Sequence, residues 1–256
     1  MRSVLRHLPR FVLARFACVC CALWIGAVPA QSQAAASADA PQPFSATYVV
    51  SYRGIEGGTL RMDLRHAAAT GHYVFETHVN PNVLARLFIG RDAVERTVLE
   101  LTPQGMRPLS WETNDGKSGN KGDGRLQFNW QTHRVTGTYE GKPVDLPLAP
   151  GTRDRLSIQI VAMTALLRGE QPSTISMVNG DSIKEYTYTR GATEVLDTRL
   201  GKLDTVIFES TRTGSNRVSR VWHAPSLEYL PVRAEQIRKG KVETVMTLVT
   251  LEHPAS

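Results

Sequence analysis

The sequence predicts a mainly β protein: a curved antiparallel sheet or half-open barrel with one principal α-helix packed on or in it. Three observations predict it. Most of the chain alternates apolar and polar residues in short runs, as strands do. Glycine-centred turns separate the runs. Residues 153–168 alone carry a long helical period, with Leu156, Ile160, Met163 and Leu167 at i, i+4, i+7 and i+11.

Residues 1–30 read as a secretory signal peptide. Arg2, Arg6, Arg10 and Arg15 form a basic start, Phe16 to Val28 an apolar stretch, and Val28-Pro29-Ala30 a small-residue cleavage site. Cys18, Cys20 and Cys21 all lie in this leader, so the exported chain would hold no disulfide. Lipidation at Cys18 or Cys21 is the lesser reading, because Arg15 interrupts the apolar run and Val19-Cys20 precedes Cys21. The apolar run is shorter than the roughly 20 residues of a membrane span, and no later segment approaches that length. Without those four arginines the chain carries 26 basic and 24 acidic side chains. Its basicity therefore belongs largely to the leader and argues against nucleic-acid binding.

Residues 31–43 are small, polar and proline-containing, a flexible linker. Residues 44–253 are expected to form a single β-rich domain. Ala46, Tyr48, Val50 and Tyr52 begin the first strand pattern, and Leu60, Met62 and Leu64 fill one face of the next. Tyr73, Phe75, Thr77 and Val79 continue it. The stretch from Pro81 to Gly90 fits a short helix or helical turn. Leu109, Trp111 and Thr113 share a strand face, as do Leu126, Phe128 and Trp130. After the helix, seven further strand segments follow, with Gly180, Gly191, Gly201, Gly214 and Gly240 between them. The last strand is apolar on both faces, Val245, Val249 and Leu251 on one and Met246 and Leu248 on the other. It should therefore be covered on both sides.

No catalytic motif stands out. Gly116-Lys117-Ser118 lies in a glycine-rich polar loop, but Trp111 occupies the position where a phosphate-binding loop needs glycine. The segment reads as a hairpin loop. Asp154 and Ser157 are helix-capping types. Strand alternation puts Trp222 and His223 on opposite faces, a core Trp and a surface His. His66, His72 and His78 lack metal-site spacing, and no metal or cofactor is expected. Trp111, Trp130, Leu156, Ile160, Met163 and Trp222 are the candidate lining of an apolar cavity.

Several local patterns occur in order. They are Tyr48-Val49-Val50-Ser51-Tyr52-Arg53-Gly54-Ile55, Arg153-Asp154-Arg155-Leu156-Ser157, Leu200-Gly201-Lys202-Leu203, Trp222-His223-Ala224-Pro225 and Tyr229-Leu230-Pro231-Val232-Arg233. Together they resemble the bacterial family called domain of unknown function 3108, from about Phe44 to Leu251. The resemblance implies an exported, periplasmic envelope protein of Gram-negative bacteria and supplies no catalytic residues. Its plan is similar to the half-barrels of periplasmic lipoprotein carriers, an analogy of fold. The expected role is a non-enzymatic binder or carrier of a lipid, acyl chain or other hydrophobic ligand. The alternatives are an envelope scaffold with a protein partner, or a hydrolase of envelope glycans or lipids. After removal of the leader, no integral membrane segment is expected.

Overall fold

The computed structural model describes residues 40–254, apart from residues 70, 84, 88–92, 118 and 120. Residues 1–39, which hold the expected signal peptide and most of the expected linker, lie outside the described residues. The linker's last residues are packed: Ala40 is 4% exposed, and the Gln42 backbone N–H donates to Glu228 Oε2 at 2.7 Å. Ordered structure thus starts before Phe44.

Among the described residues, fifteen strands form one sheet. The first half comprises β1 (Phe44–Tyr52), β2 (Ile55–His66), β3 (His72–Pro81), β4 (Ala93–Thr102), β5 (Gly105–Asn114), β6 (Gly124–Asn129), β7 (Arg134–Tyr139) and β8 (Lys142–Pro147). The two-residue β9 (Arg153–Asp154) precedes α1 (Ile158–Leu167). The second half comprises β10 (Thr174–Asn179), β11 (Ser182–Thr198), β12 (Gly201–Thr211), β13 (Arg217–Ala224), β14 (Leu230–Arg238) and β15 (Lys241–Glu252). The two halves join where β1 pairs with β15, and the edges are β8 and β9. Pro143 and Pro147 remove donors from the β8 edge, which discourages pairing with a foreign strand.

The sheet is strongly curved. Ten strand spacings separate β4 from β9 in the sheet order, so a flat sheet would hold them roughly 48 Å apart at ~4.8 Å per strand. Yet Thr97 Oγ1 on β4 donates to Asp154 Oδ2 on β9 at 2.9 Å. A second contact closes the other end. Gly180, between β10 and β11, lies so close to the Tyr139 ring of β7 that a Cβ there would sit 2.6 Å from it.

The pairing departs from expectation in three places. Every neighbouring pair is antiparallel except β9 with β10, which is parallel and bridged by α1. The segments 183–189 and 193–198 form one strand, β11, because Gly191 and Ala192 are accommodated as a bulge rather than a turn. The doubly apolar last strand also has a simple cause. Thr47 pairs with Thr250 but Tyr48 with Leu248, so Val249 is an extra residue in the ladder. That bulge resets the alternation, and Leu251 joins Met246 and Leu248 against one core. A covering layer on both faces is not required.

Between Pro81 and Gly90 the described helical turn is Ala85–Leu87. Asn82 starts it, its Oδ1 accepting from the Ala85 N–H at 2.9 Å, and Pro81 ends β3 instead. The glycine-rich loop after β5 is a hairpin ordered by its own side chains: Asp123 Oδ1 accepts from the Asp115 N–H and Asn114 Oδ1 from the Gly116 N–H.

One apolar cluster runs from Phe44, Ala46 and Tyr48 on β1 to Leu126 and Phe128 on β6 and Leu230 and Val232 on β14. Ile160 and Met163 of α1 belong to it, at 0% and 1% exposure. Truncating either to Ala would cost roughly 2–5 kcal/mol.

Gly137 allows β6 and β7 to approach. Its φ is +151°, and a Cβ would lie 2.0 Å from the Arg125 carbonyl oxygen. Gly137→Ala should therefore destabilise the fold by at least about 2 kcal/mol, since both backbone strain and a backbone clash result. Urea unfolding monitored by circular dichroism measures it; an unchanged midpoint would refute this account of the position.

Candidate functional site

The helix is placed by the Arg153-Asp154-Arg155-Leu156-Ser157 segment. The helix predicted over 153–168 begins only at Ile158, because the first residues serve β9 and a buried polar turn. Asp154 is 1% exposed. Its Oδ1 accepts from the Leu156 and Ser157 N–H groups at 2.9 and 2.7 Å, and its Oδ2 from Thr97. Asp154, not Ser157, thus supplies the acceptor for amide donors ahead of the helix. Arg155 Nε donates to Glu95 Oε1 at 2.7 Å, and its guanidinium lies 5.0 Å from the centre of the Trp111 ring. Trp111 Nε1 donates to the same Glu95 oxygen at 2.6 Å. Burial pushes the Asp154 carboxyl up to about 6, with its hydrogen bonds pulling the other way.

This anchoring gives α1 two occupied sides. Ile160 and Met163 enter the main core. Leu166 instead packs with Val206 and Phe208 of β12. Between that second side and strands β10 to β14 lies a cleft of about 520 Å³. Ile158, Ala162, Leu166, Met177, Phe208 and Val221 supply its apolar surface. A polar row crosses it on adjacent strands: Tyr188 pairs with Ser210, Ser210 with Ser219, and Ser219 with Gln236. Gln236 Nε2 donates to Ser219 Oγ. Burial pushes the Tyr188 phenol up to about 12, against its hydrogen bond with Ser210.

The cleft is electrostatically one-sided. Arg155, Lys184, Arg212 and Arg217 line it, and no Asp or Glu does. Arg155 is paired with Glu95, whereas Lys184, Arg212 and Arg217 make no salt bridge among the described residues. Gln159 also lines the cleft, and its buried Nε2 has no hydrogen-bond partner among the described residues. His223, expected at the surface, is 4% exposed and forms part of the wall. Its Nδ1 lies 2.8 Å from the Tyr229 carbonyl, so that nitrogen carries the proton and Nε2 is the free acceptor. Burial pushes the imidazole down to about 4, leaving it neutral near pH 7.

None of the six residues expected to line a cavity borders this cleft. Trp111, Leu156, Ile160, Met163 and Trp222 are buried in the main cluster, and Trp130 packs against it with Nε1 donating to the Pro108 carbonyl. Trp222 donates from Nε1 to Glu194 Oε2 at 2.7 Å, between the guanidinium groups of Arg220 and Arg233. What sequence reasoning missed is the second side of α1 and the even-numbered positions of β11 and β12. Lys184 on β11 and Arg212 just beyond β12, cations without a salt bridge among the described residues, were the available signal.

Asp154 and His223 shift in opposite directions. Folded Asp154 holds its proton more tightly than the unfolded chain does, so its contribution to stability grows as pH falls from about 6 toward 4. Folded His223 holds its proton less tightly, so its contribution is lost as pH falls from about 6.5 toward 4. The two largely offset. Asp154→Asn keeps an acceptor for the turn and should leave the His223 loss visible, about 1–2 kcal/mol between pH 7 and pH 5. His223→Asn should do the reverse and become more stable over the same interval. Asp154→Ala should cost roughly 2–4 kcal/mol, more at pH 5 than at pH 7, by removing the cap and orphaning buried donors. Chemical denaturation at the two pH values checks all three.

No curated protein matches the chain. Among solved structures, the chain is similar to a β-barrel-like protein of domain of unknown function DUF1849 from Brucella abortus. The identity is 12%, the TM-score 0.52, and the match covers 84% of this chain and 99% of that one. That likeness is one of fold alone. MucB in complex with MucA(peri) matches at 12% identity and a TM-score of 0.36, over 86% of this chain and 54% of that chain. A family model described as a protein of unknown function matches residues 47–247, all of the sheet except the first residues of β1 and the last of β15, and the chain belongs to that family, DUF3108.

Proposed function

We propose that this is an exported periplasmic protein that binds an amphipathic envelope molecule, without chemical turnover, in the cleft beside α1. The carrying observation is the lining: an apolar side along α1 facing a polar row, three cations without salt-bridge partners among the described residues, and no carboxylate. Such a surface suits a ligand with an apolar chain and an acidic end. The volume, about 520 Å³, falls within the ordinary range of small-molecule sites. Gln159 Nε2 and His223 Nε2 add one donor and one acceptor to the wall. The space is not the enclosed interior that the helical stripe suggested, because Ile160 and Met163 fill that side. The leader, read from sequence, supplies the argument for export.

Parinaric acid, a fluorescent acidic acyl probe, should bind saturably and more tightly than its uncharged methyl ester. Arg212→Glu/Arg217→Glu reverses two exposed or half-exposed cations without touching the core and should weaken the acid at least tenfold while leaving the ester nearly unchanged. Absence of saturable binding, or equal loss for acid and ester, would overturn the reading.

A further inference from the structure

Because strands alternate in direction, several connections emerge at one end of the sheet. Four of them are neighbours there: the β1–β2, β12–β13 and β14–β15 hairpins and the start of the β3–β4 connection. Hydrogen bonds link them directly. The Arg53 N–H donates to the Glu243 carbonyl at 2.7 Å, Lys239 N–H to the Asn216 carbonyl at 3.0 Å, and Asn82 N–H to the Gly57 carbonyl at 2.9 Å.

This rim exposes side chains that a water-facing turn does not need. Tyr52 is 52% exposed, Ile55 67%, Val83 78% and Val242 45%. Among the described residues these are four of the six large hydrophobics left exposed, and the other two, Val195 and Leu200, lie on the β11–β12 hairpin. Around the four stand Arg53, Arg212, Arg217, Arg238, Lys239 and Lys241. The same three hairpins carry only two carboxylates, Glu56 and Glu243, and Glu243 is already paired with Arg53 at 2.8 Å.

We propose that this rim docks on the surface of an anionic lipid bilayer, with Tyr52, Ile55, Val83 and Val242 entering the headgroup layer and the basic side chains meeting lipid phosphates. Apolar side chains projecting from rigid turns, ringed by cations, combine the two sources of interfacial binding: burial of apolar area and attraction to acidic headgroups. A protein partner with an acidic groove would match the charge. The protruding apolar tips favour the bilayer, because they are spread over three turns, with Tyr52 and Ile55 sharing the β1–β2 hairpin, rather than lined along one strand edge. The rim shares Arg212 and Arg217 with the mouth of the cleft, whereas Tyr52, Arg53, Ile55, Val83, Arg238, Lys239, Lys241 and Val242 lie outside the cleft lining. The β12–β13 hairpin borders both, so docking would bring one end of the cleft to the lipid.

The test uses the chain from Ser37 onward, a compact unit that contains every sheet pairing and both apolar clusters. It should float with vesicles containing phosphatidylglycerol, bind weakly to purely zwitterionic phosphatidylcholine vesicles, and lose binding as salt rises. Arg238→Glu/Lys239→Glu/Lys241→Glu should lower partition at least tenfold. Ile55→Ser/Val83→Ser should lower it severalfold at any salt concentration. Circular dichroism and parinaric acid binding should stay unchanged in both, which separates this proposal from the cleft. Equal flotation with both vesicle types, or no loss in either variant, would overturn it. So would vesicle-independent dimerisation that Ile55→Ser/Val83→Ser abolishes, since the rim would then be a contact between copies.

Discussion

The buried carboxylate of Asp154 holds the β9 edge of the sheet against β4. It receives two backbone donors from its own turn and one hydroxyl from Thr97, ten strands away in the sheet order. Without that contact, neither the curvature of the sheet nor the direction of α1 has a local cause. Hydrogen bonds to a group this buried are costly to leave unmade, so the turn, β9 and β4 form one unit. Arg155, Glu95 and Trp111 extend it by a second set of polar contacts on the same strands.

That unit explains why the helix separates two different spaces. Held at its first turn, α1 presents Ile160 and Met163 to the large cluster and Leu166 to a smaller one on β12. The first space is packed. The second remains open because its strands carry Tyr188, Ser210, Ser219 and Lys184 where the other half of the sheet carries Leu and Phe. Polar side chains line up across these strands, from Tyr188 through Ser210 and Ser219 to Gln236. A site on this side of the helix thus costs the main core nothing, which is consistent with binding on a stable scaffold.

Local pattern made much of the architecture legible. The strand faces of Leu60, Met62 and Leu64, of Leu126 and Phe128, and the separation of Trp222 from His223 all follow from a period of two. The capping character of Asp154 was legible too. The β11 bulge at Gly191 and the extra residue Val249 were not, because a bulge is defined by the partner strand. His223 read as a surface residue because alternation says which face it takes, not what covers that face.

By itself the sequence determined the fold class, the helix and its buried stripe, the turn positions other than Gly191 and the family resemblance, since each depends on neighbours within a few residues or on ordered short motifs. Tertiary structure alone decided that β9 pairs in parallel, that six candidate lining residues sit in or against the core, that the cleft lies on the other side of α1, and that basic and apolar turns meet on one rim. The reason is curvature. Residues far apart in the chain become neighbours only when the sheet bends, and the bend is held by Asp154 and Thr97 rather than by any periodic pattern.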